Sequence, residues 1–181
     1  MRHTFVALVE DKPGVLNRVV SVFRRRNFNI ESLTVGRTHQ EGISRITIVV
    51  DSEDTEVERI MPYMYKLINV IQVEDLTNAA RVSRDLAMVK VSTTPETRST
   101  LMQLTEVFRA RIVDVGTDSL IIEITGDEEK IDGFVDVLKP YGIIEMVRTG
   151  IVAMERGIST LLTNSLENSN AELPIEYKMV S

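Results

Sequence analysis

One order of secondary structure elements occurs twice along the sequence, and this repeat limits the possible folds more than any other feature. In the first half, residues 4–9 (TFVALV) form a short apolar run that predicts a strand, and the pair Pro13-Gly14 ends it. Apolar residues at helical spacing from Val15 to Phe23 predict a helix. Residues 29–37 and 43–51 then predict two strands, joined by a polar hairpin connection.

A second helix and a fourth strand complete the first unit. Apolar residues recur at helical spacing from Val57 to Ile68, and residues 70–76 predict the strand. Pro62 falls inside this helix, where it removes a backbone donor and clashes with the preceding turn, so we expect a kink or a late start. The predicted order of the unit is therefore βαββαβ.

The same order follows a polar bridge at residues 78–84. Further strands are predicted at residues 86–91, 110–115, 119–125 and 143–147, with one helix opened by Pro95 and another carrying Ile131, Phe134, Val135 and Leu138. A local echo supports the repeat, because residues 23–26 (FRRR) resemble residues 108–111 (FRAR).

Two such units predict an α+β fold of two ferredoxin-like βαββαβ units, each with helices on one face of an antiparallel sheet. We assign residues 1–77 to the first unit, 78–84 to a linker, 85–157 to the second unit and 158–181 to a polar tail that we expect to be mobile. Val49 points away from Ile46 and Ile48, so apolar groups lie on both sheet faces and association is expected.

Composition excludes several classes of chemistry. The 181 residues contain no cysteine and two histidines, His3 and His39, which we expect at the surface. Disulfides, thiolate nucleophiles and Cys/His zinc sites are therefore excluded. The net charge of -6 opposes nucleic-acid binding. Neither a signal-peptide pattern nor an apolar run long enough to cross a bilayer occurs, so we expect a cytoplasmic protein without a membrane partner.

The loop at residues 10–16 (EDKPGVL) is the most informative candidate site. Gly14 lets the backbone approach a ligand, and the free amides at a helix start attract an anion such as a carboxylate. Asn29 begins the second predicted strand, expected beside the end of the first, where its side chain could meet an ammonium group. Two simpler alternatives stay open: Asp11 merely caps the helix, and Asn29 is a turn residue with unusual dihedral angles.

Several segments resemble the small regulatory subunits of acetolactate synthase (acetohydroxyacid synthase), whose N-terminal unit is an ACT domain. They are residues 12–16 (KPGVL), 28–36 (FNIESLTVG), 44–45 (SR), 66–70 (KLINV), 84–91 (RDLAMVKV), 108–115 (FRARIVDV) and 148–150 (RTG). The resemblance extends to about Gly157, and Pro62 departs from it.

This resemblance implies a protein without catalytic residues or a metal of its own. It would bind the large catalytic subunit, activate it and make it sensitive to valine or another branched-chain amino acid. Thiamine diphosphate, magnesium and FAD would belong to the catalytic partner alone. The effector would lie between the ACT domains of a homodimer. The positions that match the effector site are Asp11, Gly14, Val15, Leu16, Asn29 and Ile30.

Other functions stay open at this point. A stand-alone ACT-type amino-acid sensor acting on another enzyme or regulator is the main alternative. An RNA-binding sheet would need stacked strand aromatics, but aromatic residues are only 5% of the chain. A small enzyme on the same fold would need catalytic loops that the sequence does not display. The basic run Arg24 to Arg26 is interpreted as a solvated helix end, with a docking patch for an acidic surface as the alternative.

Overall fold

Residues 1–52 and 60–157 are described by the structure, which is a computed structural model. In the first unit, the strands and helices follow one another in the βαββαβ order that the sequence predicts. They are β1 (Arg2–Glu10), α1 (Val15–Arg24), β2 (Asn29–Arg37), β3 (Ile43–Asp51), α2 (Ile60–Met64) and β4 (Val70–Asp75). The four strands form one antiparallel sheet in the order β2-β3-β1-β4. Alternate residues of β1, among them Phe5 and Ala7, pack against the helices in a buried core.

Helix α2 differs from the predicted stripe. It ends at Met64, and Pro62 is its third residue among those described, while the expected start at Val57 lies outside the described residues. Beyond Met64 the chain turns, with the Leu67 amide donating to Met64 O at 3.0 Å. Ile68 is consequently 94% exposed, so its assignment to the apolar face of a helix was wrong.

The second unit repeats the arrangement of the first. Its elements are β5 (Arg81–Ser92), α3 (Pro95–Val107), β6 (Arg111–Val115), β7 (Ser119–Gly126), α4 (Glu128–Leu138), a 3-10 turn (Lys139–Tyr141), β8 (Ile143–Arg148) and β9 (Val152–Glu155). The main path of its sheet is β6-β7-β5-β8, which matches β2-β3-β1-β4 position by position. The predicted α+β fold with two ferredoxin-like units is therefore confirmed.

The bridge between the units is not all linker. Residues 81–84, predicted to be part of the connection, are the first four residues of β5 and pair with β9, from Arg81 opposite Glu155 to Arg84 opposite Val152. Strand β9 itself was missed, because this short pair is held by a partner some seventy residues away and not by a local pattern. The tail predicted from residue 158 lies outside the described residues.

The FRRR and FRAR echo is out of register with the structural repeat. After α1 the left-handed residue is Asn27 (φ 59°), and after α3 it is Arg109 (φ 53°). The Phe28 amide donates a hydrogen bond to Phe23 O at 3.1 Å. In the same way, the Ala110 amide donates to Thr105 O at 2.8 Å. The cap geometry thus aligns Phe23 with Thr105, and its match to Phe108 was wrong.

The helix-free face of the first sheet is covered by the chain itself. Val6 and Leu8 of β1 form a small buried cluster with Leu76 and Ala153, flanked by Ile43, Ala79 and Ile151. The Arg45 guanidinium donates to Ala153 O at 2.7 Å, and burial lowers the pKa of this group. The apolar second face of the sheet, which suggested association with another chain, is therefore partly covered by residues of the same chain.

The two histidines have different surroundings in this fold. His39 is exposed, but His3 is only 4% exposed and stacks on Phe5, so its assignment to the surface was wrong. His3 lies in β1, which is covered on both faces.

Within residues 1–52 and 60–157, no helix is long and apolar enough to cross a membrane.

Candidate functional site

The loop between β1 and α1 ends in a glycine that the backbone requires. Gly14 has φ 84° and ψ -8° and occupies the N-cap position of α1. A Cβ added there would meet no atom of the described residues within 4 Å, so the left-handed dihedral angle, and not crowding, selects glycine. With glycine at the cap, no side chain of this residue covers the helix start.

Backbone amides at the start of α1 are the anion-binding groups of this loop. The Val15 amide donates to Lys12 O in a long bond of 3.3 Å, and Pro13 has no amide hydrogen. For the amides of Gly14 and Leu16, the described part of the chain supplies no hydrogen-bond acceptor. These two amides and the helix dipole favour a negatively charged group outside the loop.

Asp11 does not cap α1. Its amide donates to Gly42 O at 2.7 Å, and its carboxylate lies 3.4 Å from Nε of Arg37. The simple capping interpretation of Asp11 was therefore wrong. Arg37, at the end of β2, joins the loop to that strand, and the sequence pattern did not reveal this partner.

A second group that the sequence pattern missed holds the base of the loop. The Glu10 amide donates to Asn69 O at 2.9 Å, and the Asn69 side-chain amide donates to the Glu10 carboxylate. Arg18 of α1 donates to Asn69 Oδ1 at 2.6 Å, and Lys12 Nζ lies 3.1 Å from Glu10. Hydrogen bonding from Asn69, and then from Lys12, lowers the pKa of Glu10.

Asn29 does not lie beside this loop within one chain. Strands β1 and β2 are both antiparallel to β3 and hence parallel to each other, so Asn29 is level with Arg2, through Asp51. The loop follows Glu10 at the far end of β1, about 26 Å away at the usual rise per strand residue. The expectation that β2 begins beside the end of β1 was wrong.

Side chains at the predicted site differ in what they can offer a ligand. Asn29 is exposed at the start of β2, while Ile30 is half-buried and packs against the first core. Val15 is only 4% exposed, so it offers its backbone and not its side chain, whereas Leu16 is 41% exposed. The turn role considered for Asn29 belongs to Asn27, which has the positive φ.

The two edges of the first sheet are unequal. At the β4 edge, the Tyr65 side chain forms two hydrogen bonds with the strand backbone. Its hydroxyl donates to Val73 O at 2.8 Å and accepts from the Val73 amide at 3.2 Å. Strand β2 forms the other edge over nine residues, and Val35 on it is 45% exposed. An unpaired edge strand can pair with another strand.

The basic run after α1 is only partly solvated. Arg24 and Arg25 are exposed, as expected for a helix end. Arg26 instead places its guanidinium 3.1 Å from the centre of the Tyr63 ring, a cation–π contact between the α1 and α2 regions. In the described ranges, no group of three or more His, Cys, Asp or Glu side chains could hold a metal ion.

The fold and the uncapped glycine loop define the class of protein: tandem ferredoxin-like units, the first of ACT type. Residues 5–72 match the family description "AHAS small subunit-like ACT domain", and residues 84–157 match "Small subunit of acetolactate synthase". The chain belongs to the acetolactate synthase small subunit family.

Individual relatives agree with this assignment. The chain is 53% identical over 157 residues to a probable acetolactate synthase small subunit of Archaeoglobus fulgidus, covering 87% of this chain and 98% of the relative. It is 50% identical to the acetolactate synthase small subunit of Mycolicibacterium smegmatis, covering 86% and 91%. The crystal structure of the small subunit from Thermotoga maritima superposes with a TM-score of 0.81 at 40% identity, covering 88% of this chain and 99% of that one.

Proposed function

We propose that this protein is the regulatory subunit of acetolactate synthase, acting in the cytoplasm. In this proposal it binds the large catalytic subunit, raises its activity and makes it subject to feedback inhibition by valine. Thiamine diphosphate, magnesium and FAD belong to the catalytic partner. Valine acts by binding one quaternary arrangement more tightly than another, and a coupling of about 1–3 kcal/mol corresponds to roughly 5- to 150-fold.

The observation that carries the proposal is the open helix start at Gly14. The amides of Gly14 and Leu16 lie at the N-terminus of α1 and have no acceptor within the described residues. A free amino acid presents a carboxylate that suits these donors, since charge-assisted hydrogen bonds to an oxyanion are stronger than neutral ones. The half-exposed Leu16 side chain would contact the valine methyl groups.

Two copies of the chain are needed to complete this site. Pairing β2 with β2 of a second copy about a two-fold axis near the middle of the strand runs the two strands antiparallel. Asn29 of one copy then lies near Arg37 of the other, and Arg37 contacts Asp11 of the effector loop. The ammonium group of valine would be bound by Asn29 from one copy, while the other copy binds the carboxylate.

Edge chemistry supports this choice of interface. The Tyr65 hydroxyl forms hydrogen bonds with the backbone of β4, whereas no strand of the described residues pairs with the outer edge of β2, which carries an exposed Val35. A β2 pair would extend the two four-stranded sheets into one and would cover Val35 beside the effector. The same interface therefore supplies both association and the second half of the effector site.

Reconstitution with the large subunit tests the proposal. The chain and the catalytic subunit are purified together, and acetolactate formation is measured with and without valine. We expect co-purification, higher activity than the large subunit alone, and inhibition by valine. Activation without inhibition would contradict the valine site but leave the partner in place. Failure to bind the large subunit, combined with amino-acid binding by the chain alone, would favour a stand-alone sensor.

A further inference from the structure

Among the contacts between the two units, one is made by the turn between β8 and β9, residues 149–151, which lies on β2. The Ile151 amide donates to Ser32 Oγ at 3.0 Å, and Thr34 Oγ1 donates to Thr149 O at 3.3 Å. Ser32 and Thr34 point to the helix-free face of the first sheet. They pair with Val49 and Thr47 of β3. The alternate residues of β3, Ile48 and Val50, face the helices. The turn thus contacts the strand proposed to form the effector interface.

Gly150, at the centre of this turn, has a dihedral angle and a close packing against β2 that favour glycine. Its φ is 86°, and a Cβ built on it would lie 2.6 Å from Ser32 Oγ and 3.0 Å from Thr34 Oγ1. Real Cβ atoms essentially never approach other heavy atoms to 2.6 Å, so an alanine here requires the Ser32 side chain or the turn to shift. Glycine thus allows the close approach of the turn to β2, and the two hydrogen bonds hold the turn on that strand.

The other side of the turn is fixed to the second unit by a buried carboxylate. Asp85, 4% exposed, accepts from Thr149 Oγ1 at 3.1 Å and from the Gly150 amide at 3.2 Å. Asp85 also accepts from Arg148 Nε at 2.8 Å, and Arg148 Nη1 donates to Asp132 Oδ1 of α4 at 2.7 Å. Asp85 lies on β5, the strand between β7 and β8. These hydrogen bonds therefore join the turn to the sheet and to a helix of the second unit.

We propose that the contact of Gly150 with Ser32 and Thr34 transmits the effector-bound state of β2 to the second unit. This inference rests on the proposed function, because the effector is placed at β2 of paired copies. Ser32, Thr34 and Gly150 are positioning residues: they do not touch the effector, and they determine how its binding changes the second unit.

The test separates effector binding from inhibition. Valine binding to the full chain is measured by calorimetry, and inhibition is measured in the complex reconstituted with the catalytic subunit. For Ser32→Ala and Gly150→Ala we expect valine affinity within about threefold of wild type. We expect the valine concentration for half inhibition of the complex to rise about tenfold, within the usual range of allosteric coupling.

Matched controls distinguish this contact from general strain. Gly157→Ala introduces alanine at a similar φ, 94°, with no atom of residues 1–52 or 60–157 within 4 Å of the new Cβ, and Ser99→Ala removes an exposed hydroxyl from α3. Both should keep the wild-type inhibition curve. In the double variant, Ser32→Ala removes the 2.6 Å contact that Gly150→Ala creates, so the two effects should be strongly non-additive.

Two results would overturn the inference. Wild-type inhibition by valine in the Ser32→Ala complex, which has no reason to misfold, would show that the contact does not carry the signal. Loss of inhibition in exact proportion to lost valine affinity would place these residues in binding instead. A wild-type chain that binds no valine would overturn the proposed function, and this inference with it.

Discussion

The two units share one topology but close the start of their first helix in different ways. In the first unit, the N-cap residue of α1 is Gly14, which has no side chain to bond the helix amides. In the second unit, the N-cap residue of α3 is Thr94, and Pro95 follows it. The Thr94 hydroxyl accepts from the Thr97 amide, while Thr97 Oγ1 accepts from the Thr94 amide. This is a complete capping box. The same position is open to a ligand in one unit and filled by the protein itself in the other.

This difference explains how one repeated fold can serve two purposes. A capping box satisfies the helix amides and stabilises the second unit without help. An uncapped start leaves donors that a carboxylate can satisfy, so binding there adds stability only when the ligand is present. In the proposed function, the first unit senses the effector and the second receives the signal through the Gly150 turn.

The largest expected effect comes from placing a negative charge at the open helix start. Gly14→Asp adds a side chain at φ 84° and a carboxylate where the valine carboxylate should bind, so we expect valine inhibition to be lost and activation to remain. Thr94→Asp puts the same charge at the corresponding position of the second unit, where aspartate is a good cap, and should leave inhibition unchanged. An inhibited Gly14→Asp complex would remove the loop from the site.

Asn29→Ala should have the next largest effect. Loss of its side-chain amide leaves the valine ammonium without this partner, and we expect at least about a tenfold loss of valine affinity, as for a hydrogen bond to a charged group. Arg111→Ala changes the residue that begins β6, the counterpart of β2, and serves as the control. Calorimetry that gives Asn29→Ala the wild-type affinity would argue against its role.

Removing the cap of the second unit should change stability and not sensing. Thr94→Ala should lower the free energy of unfolding by about 1 kcal/mol, the typical loss for an N-cap. Urea unfolding measures this loss, and valine affinity is measured on the same sample. A weaker valine affinity in this variant would show that the two helix starts are not independent.

The smallest effect concerns the support of the open loop. Asn69→Ala removes the main hydrogen bond that holds the pKa of Glu10 below its ordinary value, so this pKa should rise. Because a carboxylate with a lowered pKa stabilises the fold above its unfolded-state pKa, this contribution is lost as the pH falls through the folded-state pKa. Carboxyl NMR titration of wild type and variant provides the comparison, and an unchanged Glu10 titration would contradict it.

Sequence patterns predicted the element order well because both units carry strong periodicities. The stripe from Val15 to Phe23 and the proline at the start of α3 are local signals, and the structure has helices there. Gly14 was likewise found from its loop. These features depend on residues close together in the chain.

Features that depend on distant partners could not be predicted in this way. Residues 81–84 are polar and resemble a linker, yet β9 makes them a strand. Asn29 was placed beside the loop because the parallel relation of β1 and β2 was not taken into account. Gly150 belongs to the family-like segment at residues 148–150, but no neighbouring residue indicates its contact with Ser32, which is far away in the sequence.

The central claim is that the effector site is shared between two copies, and mixing two defective variants tests it most directly. Gly14→Asp and Asn29→Ala chains are unfolded together, refolded at equal amounts and titrated with valine. If each site takes its loop from one copy and Asn29 from the other, each mixed dimer regains one intact site, about a quarter of the wild-type total for random pairing. If both groups came from the same copy, no mixture would bind valine with wild-type affinity, and that result would contradict a shared site.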